Sequence, residues 1–290
     1  MKKVILYPGC IMQTEQYAYE LSLREILPFF DIELVDLQGF SCCGEPLKSV
    51  NQMLSLSLAA RNIAIAEKEN LDIFAPCPMC HLSMSEAKRI LDSDETMKMR
   101  INTFLKDENV QYKGSAQLIS ILDMFHDIIG LDELKKKITH PLNNIKIAAH
   151  YGCHLIRPSE IGRPDDAENP QKIEKILSIL GAKPKDYPEK LDCCGALLNA
   201  NLPETALAKT GQKLQKVQEY RFDAFVDVCP WCHRQFDARQ KKSGETVATK
   251  LQVPVLYLTQ MIGMAIGISK EKLGMHLNAS PVEQLSIGGK

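Results

Sequence analysis

Ten cysteines, every one placed inside a pattern used twice, constrain this chain more than any other feature. Each half opens with Gly-Cys (Gly9-Cys10, Gly152-Cys153) and continues to Cys-Cys-Gly (Cys42-Cys43-Gly44, Cys193-Cys194-Gly195). Each closes with Cys-Pro-x-Cys (Cys77-Pro78-Met79-Cys80, Cys229-Pro230-Trp231-Cys232). The spacing repeats too. Cys42 to Cys193 is 151 residues, and Cys77 to Cys229 is 152. Cys10 to Cys153 is only 143, so the second copy holds eight extra residues, in the polar insert 154–169. A duplication predicts two similar units. The segment Pro141-Leu142-Asn143-Asn144 is the expected boundary, giving an N-terminal unit 1–143 and a C-terminal unit 144–290.

Short apolar runs at 4–7, 32–37, 71–75, 145–149 and 224–228 read as strands, and the cysteines lie beyond them. Helical periodicity marks 14–29, 52–69, 81–91, 97–106, 115–129, 131–137, 170–180 and 204–220. This alternation predicts an α/β chain of two duplicated Rossmann-like lobes with mostly parallel sheets, the cysteines at strand C-terminal ends. Ligands of open α/β sheets bind at those ends, so each set of five thiols can converge.

Bulk properties narrow the chemistry. A net charge of -1 gives no electrostatic case for nucleic acid or an anionic membrane. The apolar run at 253–268 is too short and too interrupted to span a bilayer, and reads as a buried strand and helix. The N-terminal apolar run is short and ends at Pro8-Gly9, which predicts a first strand rather than a signal peptide. A cytoplasmic, reducing setting is therefore expected, and it argues against a disulfide framework.

The thiols then have three possible uses. Cys-Pro-x-Cys alone is a dithiol redox spacing, but here it comes with three further cysteines. Zinc favours four ligands in two Cys-x-x-Cys pairs, and vicinal cysteines chelate one tetrahedral ion poorly. A zinc ion in place of one cluster stays open. Iron-sulfur ligation suits the count better, because vicinal thiolates can reach two irons of one cluster. The glycine after each pair permits a left-handed turn or a close backbone approach.

Cys, then Cys-Cys-Gly, then Cys-x-x-Cys resembles the CCG domain, and two such domains resemble the B component of heterodisulfide reductase. The second half carries more of the likeness, in His150-Tyr151-Gly152-Cys153-His154 and Val228-Cys229-Pro230-Trp231-Cys232-His233. The resemblance implies two noncubane [4Fe-4S] clusters, each with five cysteine ligands. Cys10, Cys42, Cys43, Cys77 and Cys80 would hold one; Cys153, Cys193, Cys194, Cys229 and Cys232 the other. It implies catalysis in a complex: reduction of a disulfide, of the CoM-S-S-CoB type in methanogenesis, with one electron from each cluster. The implied partners are an iron-sulfur subunit with two cubane clusters (HdrC-like) and a flavoprotein (HdrA-like). Cys42, Cys43, Cys193 and Cys194 would be catalytic. Alternatives are a CCG subunit of a thiol- or quinone-linked fumarate reductase/succinate dehydrogenase, or a non-catalytic electron-transfer subunit.

Polar residues near the thiols complete the expectations. His154 is expected as a proton donor, and His150 and Arg157 as part of the same polar surface, since the first copy has Tyr7, Ile11 and Thr14 there. His81 and His233, each following a Cys-x-x-Cys, are expected to cap a helix or hydrogen-bond cluster sulfur. Trp231, the only tryptophan, is expected to shield a cluster from water. Lys48, Arg61 and Arg163 read as surface charges without a role.

Overall fold

The computed structural model describes residues 1–161 and 163–285. In the first half, β1 (Lys2–Leu6) leads through α1 (Tyr17–Ile26) to β2 (Ile32–Val35). The chain returns through α2 (Gln52–Lys68) to β3 (Ile73–Phe74), then runs through α3 (Pro78–Ser93) and α4 (Glu95–Leu105) to β4 (Leu118–Ile119). A π-helical stretch, Asp123–Gly130, passes into α5 (Leu131–Lys136). The second half has β5 (Lys146–His150), α6 (Cys153–Ile156), α7 (Lys172–Ile179), β6 (Lys183–Pro184) and α8 (Pro203–Glu219). It ends with β7 (Ala224–Asp227), α9 (Pro230–Phe236), α10 (Gln240–Thr246), β8 (Val255–Tyr257) and α11 (Leu258–Ala265).

The two sheets have the same order, β2-β1-β3-β4 and β6-β5-β7-β8, and every pairing is parallel. The chain is thus α/β, with two duplicated lobes. In each, the central pair (β1/β3, β5/β7) is where the crossovers diverge to opposite sides. Such a switch point leaves a crevice at the strand C-terminal ends. Cys10 follows β1 and Cys77 follows β3; Cys153 follows β5 and Cys229 follows β7.

Both faces of the central strands are covered, as parallel sheets require. Val4, Leu6 and Phe74 of the first sheet share one apolar core with Ile147, Ala149 and Val226 of the second. Tyr19, Leu23 and Ile26 of α1 and Met261, Ile262 and Ala265 of α11 complete it. The opposite faces bury Ile5 and Ala75 under α2 and α3, and Ala148 and Phe225 under α8. Each fully buried Leu or Ile contributes about 1.5–3 kcal/mol, so the shared core couples the halves strongly.

Two expectations needed correction. Residues 115–129 are not one helix: Leu118 and Ile119 pair with Ile73 and Phe74 before the π-helical stretch begins. The short strand β6 also escaped notice. Strands of two residues are too short to show period-2 alternation, and their pairing is dictated by the neighbouring strand. The segment 253–268 does form a strand and a helix, β8 and α11. Among the described residues, no helix is long and apolar enough to cross a membrane.

Candidate iron-sulfur site

Local chain chemistry sets each cysteine. Asn51 accepts from Leu54 N–H at 3.0 Å and starts α2 directly after the first Cys-Cys-Gly loop. Gly44 and Gly195 sit at φ of +90° and +84°, conformations that a side chain would strain. In that turn Gly44 N–H donates to Cys42 Sγ at 3.5 Å and Gly195 N–H to Cys193 Sγ at 3.4 Å. Ala196 N–H adds a donor to Cys194 Sγ at 3.4 Å. Side chains clamp the loops from behind: Ser83 Oγ donates to Cys43 O at 2.7 Å, and Thr210 Oγ1 to Cys194 O at 2.8 Å. Cys77 and Cys229 stand at the N-cap positions of α3 and α9, with Pro78 and Pro230 next in line, where a missing N–H costs nothing.

All ten cysteines are free thiols. Within the first set each thiol stands close enough to shift the pKa of the next, in the order Cys10–Cys42–Cys43–Cys80–Cys77. The second set repeats the order, Cys153–Cys193–Cys194–Cys232–Cys229. The two sets meet where Cys77 contacts Cys229. The structure therefore brings all ten together in one array that reads alike from either end. Cys77, the most buried, is 1% exposed, whereas Cys10 and Cys193 are exposed. Donation from Cys10, then Cys43, then Gly44 N–H holds the Cys42 thiol down to about 2. Cys153, Cys194 and Gly195 hold Cys193 down in the same way.

Once deprotonated, an array of cysteines with six members buried needs positive charge close by, and an iron-sulfur core or another metal supplies it. The N–H donors aimed at sulfur are the interactions that tune such a centre. One ring nitrogen of His150 and the Sγ atoms of Cys194 and Cys232 lie within 4.8 Å of one another, a metal-binding spacing. The residues present therefore fit a thiolate-held metal group.

The histidines fall in different places from those expected. His154 does face the site: its Nδ1 is 3.3 Å from Cys153 Sγ, and its Nε2 is 3.8 Å from Glu45 Oε1 of the other half. Arg157 turns away to Ala167 O and Glu168. His150 is no surface group; it is 1% exposed and lies behind the second set, between Phe225 and Phe236. Among the described residues, neither His81 nor His233 is hydrogen-bonded to sulfur. His81 Nε2 meets Leu118 O at 3.4 Å and its Nδ1 receives Arg163 Nη2 at 3.2 Å. His233 Nδ1 pairs with Asp227 at 3.2 Å, and its ring stacks on Tyr257 at 3.7 Å. Arg163, read as a surface charge, instead ties the insert to the first half, donating also to His154 O at 2.6 Å.

Two pairs behind the thiols escaped the sequence reading. In the first half, Asn62 Nδ2 donates to Tyr7 Oη at 3.3 Å and to Cys42 O at 3.1 Å. In the second, Lys213 Nζ donates to His150 Nδ1 at 2.9 Å. The repeat offsets place His150 on Tyr7 and Lys213 on Asn62, so aligning the halves could have exposed them. Burial lowers the Lys213 ammonium to about 8, still protonated at neutral pH.

A cleft of about 710 Å³ adjoins the second thiol set, sharing Met79, Ala196, Leu197 and Trp231 with the small cavity those cysteines line. Its lining comes from both halves and includes Lys48, Met79, Leu197, Trp231 and Arg234. The small cavity, of about 20 Å³, is bounded by Met79, His154, Trp231 and the cysteines of the second set. Trp231 thus packs beside the thiols, as expected.

The family model for the CCG cysteine-rich domain matches residues 4–85 and 147–237. The B component of the ferredoxin/F(420)H(2)-dependent CoB-CoM heterodisulfide reductase of Methanosarcina acetivorans is 35% identical over 283 residues, covering 96% of this chain and 94% of that protein. The chain belongs to the family of heterodisulfide reductase B components, with a pair of CCG domains. The 8-methylmenaquinol:fumarate reductase membrane anchor subunit of Wolinella succinogenes is also similar, 32% identical over 98% of this chain and 99% of its own length. A solved structure of a hypothetical Helicobacter pylori protein shares the fold, with a TM-score of 0.77 at 16% identity, over 96% of this chain and 52% of that one.

Proposed function

We infer that this chain is the catalytic subunit of a heterodisulfide-reductase-type complex. The observation that carries the reading is the meeting of the two five-thiol sets at Cys77 and Cys229, with a cleft lined by both halves adjoining the second set. Cys10, Cys42, Cys43, Cys77 and Cys80 would hold one noncubane [4Fe-4S] cluster, within a unit of residues 1–143. Cys153, Cys193, Cys194, Cys229 and Cys232 would hold the second, within 144–290. Such clusters, when bound, supply the two electrons that convert a disulfide and two protons into two thiols.

The chain's own groups do the rest. Met79, Leu197 and Trp231 form an apolar wall beside the second thiol set. Lys48 and Arg234 offer positive charge for an anionic substrate of the CoM-S-S-CoB type, although Glu86 and Glu15 already partner them. His154, at the second set's edge, can hold the proton that a departing thiolate takes. Electrons would arrive from an iron-sulfur subunit with two cubane clusters and a flavoprotein subunit.

The Wolinella relative favours one second reading: a CCG subunit linking quinol to fumarate reduction. Purification with co-expressed partner subunits tests both. Two clusters' worth of iron and sulfide, with reduction of CoM-S-S-CoB, is the expected result. Fumarate reduction by a quinol, with no heterodisulfide turnover, would select the second reading. Converting each vicinal cysteine pair to serine in turn should halve the iron and abolish turnover. Full activity in either double variant would remove that half from the chemistry.

A further inference from the structure

The two lobes are alike in fold and thiol order, yet what lies behind each thiol set differs in charge. Tyr7 and Asn62 back the first set. Tyr7 Oη donates to Ser41 O at 2.6 Å, and Asn62 Nδ2 reaches Ser41 O at 3.3 Å and Cys42 O at 3.1 Å. Both side chains are neutral, and both spend their donors on the loop backbone.

His150 and Lys213 occupy the same places behind the second set. Lys213 Nζ donates to His150 Nδ1 at 2.9 Å, Lys190 O at 3.0 Å and Asp192 O at 3.0 Å. Three acceptors meet the three N–H bonds of an ammonium, and each acceptor atom is uncharged. The rings of Tyr187, Phe225 and Phe236 lie 5.7 to 6.0 Å from the nitrogen and add cation–π attraction. At 2% exposure, this charge is out of reach of solvent screening.

An ammonium can only donate, so with Lys213 protonated Nδ1 accepts and the ring proton sits on Nε2. That atom is buried and has no partner among the described residues. A ring nitrogen of the same histidine lies within 4.8 Å of Cys194 Sγ and Cys232 Sγ. The one unspent donor of the pair therefore belongs to a ring that faces two thiols of the second set.

We propose, on the reading that each thiol set carries an iron-sulfur cluster, that Lys213 and His150 form a buried cationic donor pair giving the second centre a higher reduction potential than the first. The physics is that of charge. Reduction adds a negative charge to an already anionic centre. A nearby ammonium and an N–H donor stabilise the reduced form, whereas the Tyr7–Asn62 pair adds no charge. Electrons entering the array settle first on the centre beside His154. Lys213 and His150 act here as tuning residues through the thiolates.

The test is an EPR-monitored potentiometric titration of the full chain with its clusters, alongside iron and sulfide analysis. The wild type is expected to show two midpoints. Lys213→Met should keep both clusters while lowering the higher midpoint. The expected shift is about tenfold in the reduced-to-oxidised ratio at a given potential, which is 59 mV for a one-electron couple. Lys213→Arg should largely restore it. A double variant, His150→Tyr with Lys213→Asn, installs the pair that the first lobe already accommodates, and it serves in place of Lys213→Met if that variant fails to fold. In it the two midpoints should converge. Unchanged midpoints in variants that retain full iron would overturn the proposal. Loss of half the iron in the double variant alone would also overturn it, making His150 a ligand instead of a donor. A wild-type chain without iron and sulfide would instead sink the reading of the thiol sets.

Discussion

Tyr19 Oη donates to Val228 O at 2.8 Å, across the two halves of the chain. Pro76 O lies 3.3 Å from the same hydroxyl. Val228 and Pro76 are the residues directly before Cys229 and Cys77, so one phenol on α1 holds the roots of both Cys-Pro-x-Cys loops. Tyr257 stacks on Tyr19 at 4.3 Å and donates to Gln16 Oε1 at 2.6 Å, which fixes the ring. Replacing Tyr19 with Phe leaves buried carbonyls without a donor and should destabilise the protein by about 1–3 kcal/mol. Denaturant unfolding measures this, and an unchanged midpoint would mean the hydroxyl does not hold the lobes in register.

The two Cys-Cys-Gly turns leave no room for a side chain on their glycines. A Cβ on Gly44 would meet Ser55 O at 2.5 Å; one on Gly195 would meet Ala206 O at 2.9 Å. In both places the obstacle is helix backbone, which cannot move aside like a flexible side chain. Strain at positive φ adds about 1–3 kcal/mol. Gly44→Ala and Gly195→Ala should each lose iron from one half, Gly44→Ala more severely. Iron retention equal to the wild type in both would show that the turn tolerates a side chain.

The alternation of strands and helices, the duplication and the meeting of the cysteines were legible because each rests on local pattern or on spacing. What the Cys-x-x-Cys histidines do was not. His81 and His233 look equivalent in sequence, but Arg163 beside one and Tyr257 beside the other come from chain segments that only the fold brings near, and among the described residues the hydrogen bond of His233 to the nearby Asp227 has no counterpart on His81. His150 misled for a related reason. A polar residue at a strand end reads as exposed unless its partner is known, and that partner, Lys213, sits on a helix 63 residues away. Lys213 is one of three lysines on α8, with Lys209 and Lys216, and carries no local sign that it alone points inward.

Between the halves, Lys172 pairs with Asp127. Burial pushes the Asp127 carboxyl up, but Lys172 and then His126 outweigh this and leave it below the ordinary aspartate range. A carboxyl lowered in the folded state contributes stability above its unfolded value, and that contribution is lost as pH falls through the folded value. With Asp127 substantially exposed, the pair contributes about 1 kcal/mol or less. Lys172→Met should therefore cost a little stability at pH 7 and progressively less as pH falls below the ordinary aspartate range. Thermal melts of both proteins from pH 7 down through that range check it. An equal cost at both ends would place the lysine's contribution in packing.

His154 stands nearest the chemistry. Its Nδ1 lies 3.3 Å from Cys153 Sγ, and its Nε2 lies 3.8 Å from Glu45 Oε1 on the opposite lobe. The ring therefore lies between the second thiol set and an acidic side chain with one unpartnered oxygen, Glu45 Oε2. A group so placed can receive a proton on one side and release it on the other. His154→Gln preserves size and hydrogen bonding but cannot carry the charge. Turnover of heterodisulfide should fall by about 10²–10⁴, the usual worth of a positioned acid, with iron content unchanged. Glu45→Gln should fall less, because it acts through the histidine. If His154→Gln turns over at the wild-type rate, the thiolate takes its proton from water in the cleft, and the role of His154 is confined to packing against Cys153.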